Sequence, residues 1–301
     1  MDEAFAWLTE RGWHPDGGFI HTTNRDGSPR DERRDTYDHA FALLALAHFA
    51  KSTGRQDAAD WFERTVDFVT TRLPDEQPGL YLEGLPAPTP RRANPHMHLL
   101  EAWLAAYELT GGPAHMSRAD AIVERFHDHF FDAETWTVTE FFDERWQPAP
   151  GELGRIAEPG HHYEWIWLLK QHARLGGDQT AHDAVCRKLF AFAEAFGRNH
   201  LTGMVFDAVS KEGRPIKDTS RCWPQTEALR ALLVMEHTGT PGLSSRIDET
   251  LAILLSRTLR DCPPGCWMDQ YDAAGKPIAR DIPASTFYHL FSALSEIVKS
   301  H

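Results

Sequence analysis

Positive charge is in short supply. Lys and Arg number 31 against 44 Asp and Glu, which leaves a net charge of −13, and no basic run gathers anywhere in the chain. Nucleic acid and anionic membrane are therefore not expected partners. Cysteine is scarce as well. Cys186, Cys222, Cys262 and Cys266 are too few for a disulfide framework in 301 residues, and the Cys262–Cys266 pair lacks zinc-site spacing. No apolar run approaches the ~20 residues that span a bilayer, and the acidic start Met1-Asp2-Glu3 lacks the basic opening of a secretory leader. Cytoplasmic placement is the expectation. With 42% hydrophobic residues and no linker-like stretch, the whole chain, 1–301, reads as one domain with a substantial core.

What the chain does have is a five-fold internal repeat. Gly18-Phe19, Gly79-Leu80-Tyr81, Trp136, Gly203-Met204 and Gly265-Cys266-Trp267 mark short strand segments about sixty residues apart. Most lead into a turn such as Asp26-Gly27, Glu212-Gly213 or Ala274-Gly275. An apolar helix start follows each. One helix of each repeat is apolar all round, as in Phe41 through Ala47, and the next is amphipathic, as in Ala58 through Val69. Buried inner and solvent-facing outer helices in alternation predict an all-α, α/α toroid. Glycine stops recur at Gly54, Gly111, Gly176 and Gly239. About ten helices are expected, from residues 2–10 to 283–299, whereas a closed six-hairpin barrel has twelve. The N-terminal end is where an inner helix is missing.

Polar residues collect at the inner-helix starts. They read Tyr37-Asp38-His39-Ala40-Phe41, Asn94-Pro95-His96-Met97-His98, His161-His162-Tyr163-Glu164-Trp165, Arg221-Cys222-Trp223-Pro224-Gln225-Thr226-Glu227 and Thr286-Phe287-Tyr288-His289. Equivalent positions in a repeat array line one surface, so these clusters are expected to share a cleft. Histidine takes and returns protons near neutrality, and three starts offer one: His96 or His98, His161 or His162, and His289. His161 and Glu164, three apart on a helix, share a face, and a carboxylate beside an imidazole raises its basicity. Trp223, Tyr37 and Phe41 suit the apolar faces of a sugar ring, while Glu227, Asn94 and Arg221 suit its hydroxyls. A metal held by His96, His98, His161, Glu164 and His289 is the less favoured reading, because no HExxH pattern is present. No metal and no cofactor are expected.

At these residues the chain resembles the N-acylglucosamine 2-epimerase superfamily, which includes mannose isomerases and cellobiose 2-epimerases. The matching blocks begin at Tyr37, Asn94, Glu158, Arg221 and Ile282, and the resemblance covers the chain from about residue 10 onward. It implies an (α/α)6 barrel, with short β-hairpins at one end, acting on the open-chain form of a monosaccharide. It implies His161 and His289 as the acid/base pair, His98 assisting at the carbonyl, and Glu164 orienting His161. Tyr37, Phe41, Asn94, Arg221, Trp223 and Glu227 would hold the sugar. Removal of the C2 proton gives a cis-enediolate. Reprotonation at C1 makes a ketose, as in mannose–fructose isomerisation; reprotonation on the other face of C2 makes a 2-epimer. Cellobiose epimerase-like members stack a second sugar ring on a tryptophan where this chain has Ala284, which favours a monosaccharide.

One departure from the family pattern stands out. The arginine that faces the sugar oxygen on the family's first inner helix has no match, since Arg33 and Arg34 lie in a loop before Tyr37. Two expectations follow. Either the protein starts further upstream, or the barrel is truncated, weakly active, and flanked by exposed apolar surface that favours a homodimer. A truncated barrel could also serve as a non-catalytic carbohydrate- or protein-binding module. A glycoside hydrolase is the remaining rival, with Glu164 and Glu227 as its carboxylates.

Overall fold

The computed structural model describes residues 2–299. Ten α-helices lie among them, and all strands are short. The chain forms two compact units, Met1–Phe130 with Phe141–Pro150, and Phe131–Glu140 with Gly151–His301.

The first unit holds α1 (Asp2–Arg11), α2 (Thr36–Thr53), α3 (Gln56–Arg72), α4 (Asn94–Thr110) and α5 (Pro113–Arg125). The inner helices α2 and α4 pack on one another, and each carries its outer partner, α3 or α5. The sequence dictates these boundaries. Asp35 caps α2 by accepting the Tyr37 N–H at 2.9 Å, and Pro95 opens α4 where a missing N–H costs nothing. Gly54 (φ +66°) and Gly111 (φ +72°) end these helices in the left-handed region, each donating to the carbonyl four residues back. Outer helix α3 buries Ala58, Phe62, Thr65, Val66 and Val69, a stripe at helical spacing with Asp60, Glu63 and Arg64 outside it.

The second unit repeats the plan with α6 (Pro159–Arg174), α7 (Gln179–Phe196), α8 (Cys222–His237), α9 (Ser244–Ile253) and α10 (Ala284–Lys299). Inner helix α8 packs on both α6 and α10. Helix α10 is two-faced. Thr286, His289, Leu290 and Ala293 are buried, while Phe287, Phe291, Leu294 and Val298 are 59%, 63%, 45% and 78% exposed, a continuous apolar stripe.

Short antiparallel ladders precede the inner helices. Arg34–Asp35 pairs with Gly84–Leu85 ahead of α2, and Ser220–Arg221 pairs with Gln270–Tyr271 ahead of α8. A recurrent staple ties hairpin to helix. The Phe19 N–H donates to His39 Nε2 (2.8 Å), Tyr81 N–H to His96 Nε2 (2.9 Å) and Val138 N–H to His162 Nε2 (3.3 Å). The Nδ1 of each ring meets the carbonyl four residues earlier, of Asp35, Arg92 and Glu158 respectively. In the fourth repeat Gln225 does the same work: its Oε1 accepts from Val205 N–H at 2.8 Å and its Nε2 donates to the Arg221 carbonyl at 3.0 Å. An imidazole or an amide fits because the position needs one acceptor and one donor. Burial holds His39, His96 and His162 far below the usual imidazole range, at about 4, 3 and 4.

Candidate active site

The staples give the repeats a common ruler. Two residues beyond each one stand Phe41, His98, Glu164 and Glu227, and two residues before each one stand Tyr37, Asn94, Gly160 and Trp223. Nearly all the sequence-predicted site residues fall on these two rows or beside them. The ruler also sorts the doubled histidines. His96 and His162 hold backbone, whereas their neighbours His98 and His161 meet carboxylates, Glu101 and Glu140.

In the first unit, the His98 ring lies against Tyr37 (centroids 4.9 Å, edge-on) and Phe41 (4.6 Å), which themselves touch at 4.9 Å. His98 Nδ1 is 3.6 Å from Glu101 Oε2, one turn along α4, and both residues are buried. Asn94 is the first residue of α4.

In the second unit, His161 and His289 both lie against Trp223, with ring centroids at 5.2 and 5.5 Å. Each imidazole is held through Nδ1 by a buried carboxylate. Glu227 Oε1 takes His289 Nδ1 at 2.7 Å, across from α8 to α10. Glu140 Oε2 takes His161 Nδ1 at 2.9 Å. The sequence pointed to Glu164 for that place beside His161. One helical turn places the two on the same face of α6, yet the Nδ1 partner comes from the segment preceding the helix. Glu164 instead lies with Glu227 and His289, their ligand-type atoms all within 4.8 Å of one another.

The two histidines sit in different fields. Glu227 is fully buried and its second oxygen accepts from Arg230 Nη1 at 2.8 Å, so its charge is compensated. The Arg230 guanidinium also covers the face of Trp167 at 3.8 Å. No described cation bonds Glu140. Burial lowers the His161 imidazole, but the charge of Glu140, then that of Glu158, the Glu140 hydrogen bond and Glu164 carry it up to about 9. The Glu158 carboxylate stands 3.9 Å from His161 Nε2 and 3.8 Å from Arg221. Arg221 is anchored by Asp207, which accepts its Nε at 3.1 Å and its backbone N–H at 2.8 Å, and its guanidinium lies 5.3 Å from the Trp223 ring.

Glu164, Glu227 and His289 are the described residues of this unit that could ligate a metal. The donor set fits one poorly, because both oxygens of Glu227 are engaged and an arginine cation stands where a second cation would be repelled.

Glu140, Glu158, Arg230 and Glu101 are missing from the residues that the sequence pointed to. Arg230 had a signal: an arginine three residues after a glutamate on an otherwise apolar helix must be paired if buried. Glu140 had a fainter one, a lone carboxylate inside the apolar run Thr137-Val138-Thr139-Glu140-Phe141-Phe142.

Comparison with known proteins bears on the whole chain. A mannose-6-phosphate isomerase of Rhizobium meliloti is 36% identical over 299 residues, spanning 96% of this chain and 76% of that protein. A D-mannose isomerase of Thermobifida fusca is 30% identical over 237 residues, 73% of this chain and 58% of that protein. Among solved structures, a D-mannose isomerase matches all of this chain and 80% of its own with a TM-score of 0.87 at 22% identity. The cellobiose 2-epimerase of Bacillus thermoamylovorans matches all of this chain and 81% of its own at 0.89 and 19%. The fold class is therefore the all-α toroid expected from the repeats, of the (α/α)6 type that the family resemblance implied. Among the described residues no helix is long and apolar enough to cross a membrane. The relatives are isomerases and epimerases of sugars, and this chain is an enzyme of the isomerase class. The model of the N-acylglucosamine 2-epimerase family matches residues 1–293, and the chain belongs to that family.

Proposed function

We propose that this protein is an aldose–ketose isomerase acting on an open-chain hexose, most simply interconverting mannose and fructose. One observation carries the reading. His161 and His289 lie against one tryptophan, each with Nδ1 tied to its own carboxylate, so that Nε2 is the working nitrogen of both. With Nδ1–H given to Glu227, His289 Nε2 bears the lone pair that removes the proton from C2. The electron pair forms C1=C2 while the carbonyl oxygen gains negative charge. His161, held by the Glu140 carboxylate, meets that charge and supplies a proton. The C2 proton returns to C1 from His289 while the 2-hydroxyl gives its proton to His161, which completes the ketose and restores both histidines. Trp223 offers the ring face for the sugar, and Arg221 and Glu158 offer donors and acceptors for hydroxyls. The part of His98, between Tyr37 and Phe41, as an aid at the carbonyl rests on the family resemblance, as do the sugar-holding parts of Asn94, Tyr37 and Phe41.

The relative named for mannose 6-phosphate gives a second reading, a phosphosugar substrate. The free-sugar reading is supported by the carboxylates beside each arginine, Asp207 and Glu158 by Arg221 and Glu227 by Arg230, which offset the charge a phosphate would need. Proton NMR in deuterated water decides between the readings. The substrates are mannose, fructose, glucose, N-acetylmannosamine and mannose 6-phosphate. Ketose formed with label at the exchanged carbon supports the isomerase. Label at C2 with only aldoses appearing makes it a 2-epimerase. Turnover confined to the phosphorylated sugar replaces the free-sugar reading.

A further inference from the structure

We propose that Glu140 is the positioning residue that holds His161 in its proton-donating form, and that it thereby sets the alkaline limit of activity. The inference rests on the acid/base reading above but makes a separate claim about a residue outside the two histidines. Glu140 is 3% exposed, and its two oxygens have different work: Oε2 meets His161 Nδ1 at 2.9 Å and Oε1 accepts the Glu158 N–H at 3.4 Å. The carboxylate is thus fixed by the turn that starts α6 and aimed at the ring from behind.

The other groups around His161 cannot substitute for it. Glu158 approaches Nε2 at 3.9 Å, beyond hydrogen-bond reach, and shares its charge with Arg221. Glu164, a turn along α6, lies with Glu227 and His289. The adjacent His162 is held neutral by burial, with Lys211 as a further positive influence. Trp223 contributes a ring face. Glu140 bonds the His161 ring at Nδ1, and no described cation bonds Glu140 in turn. The contrast with Glu227, whose charge Arg230 compensates, gives the two histidines opposite proton duties. Glu140 holds His161 with no described cation bonded to it, whereas Glu227 is shared between His289 and Arg230. Burial lowers the imidazole, yet chiefly the Glu140 charge carries it up to about 9, which agrees with this geometry.

The test is NMR titration of 15N-histidine-labelled protein without substrate, comparing wild type with Glu140→Gln and Glu140→Asp. In the wild type, His161 is expected to titrate near 9. In Glu140→Gln it should move below about 8, and the alkaline limb of kcat should move with it while KM changes less than about threefold. Glu140→Asp keeps the charge at a longer reach, so its titration should fall in between; this variant decides the matter if the glutamine variant does not fold. Unchanged titration of His161 in either folded variant overturns the proposal, as does a kcat loss uniform across pH. If no sugar is turned over, the functional reading fails while the titration still decides the role of Glu140.

Discussion

Gly160 stands where the other repeats place Tyr37, Asn94 and Trp223, and the lack of a side chain there has a physical cause. A Cβ built on it would lie 2.5 Å from the Trp223 ring. Gly160→Ala should therefore tilt the tryptophan away from His161 and His289, lowering kcat/KM about tenfold or more while the chain stays folded; steady-state kinetics with tryptophan fluorescence checks this. Arg230 acts differently. Arg230→Met would leave Glu227 buried without its cation, which should destabilise the protein by about 3–5 kcal/mol, measured by urea unfolding. At this scale the sequence revealed the residue types and their repeat positions, because periodicity is a one-dimensional property. Residue types and spacing left His161 and His162 open until the family resemblance pointed to His161, and nothing identified Glu140 as the Nδ1 partner. Those facts depend on which ring nitrogen meets a backbone amide and on a contact spanning twenty-one residues.

Hairpin and helix are joined by the staple, so its chemistry can be tested on the element it secures. His96→Gln should be tolerated within about 1 kcal/mol, because Gln225 already does the same work in the fourth repeat. His96→Ala strands the Tyr81 N–H and should cost about 1–3 kcal/mol, read as a fall in the midpoint of thermal unfolding. The pH dependence has a definite sign. Burial holds His39, His96 and His162 at about 4, 3 and 4 in the folded chain, below the ordinary imidazole value of 6.5. Their contribution is complete above 6.5 and is lost as pH falls from 6.5 toward 4. At pH 5 each staple should have given up about 2 kcal/mol. His161 works the other way: its raised value adds stability below 6.5 that disappears as pH rises through about 9. Denaturant midpoints measured from pH 4.5 to 9.5 should trace both limbs. Helix alternation was legible from apolar spacing and glycine stops. The staples were not, since the same histidines that hold backbone sit beside those that serve the site.

For the molecule as a whole, the α10 stripe is the feature that charge makes consequential. A chain carrying −13 repels its own copies at most faces, whereas Phe287, Phe291, Leu294 and Val298 offer an uncharged one. We expect association of two copies through this stripe, seen as a concentration-dependent sedimentation coefficient that Phe291→Glu abolishes. Circular dichroism should be unchanged in that variant, since the side chain is mostly exposed.

The staples also mean that acid would not loosen this protein evenly. A latch made of a neutral ring opens when the ring takes a proton, but a latch made of an amide has no proton to take. Near pH 4 the amides of Phe19, Tyr81 and Val138 should exchange with solvent deuterium well before that of Val205. The lone glutamine would make the fourth repeat, which also presents Trp223 and Glu227, the last part of the chain to let go.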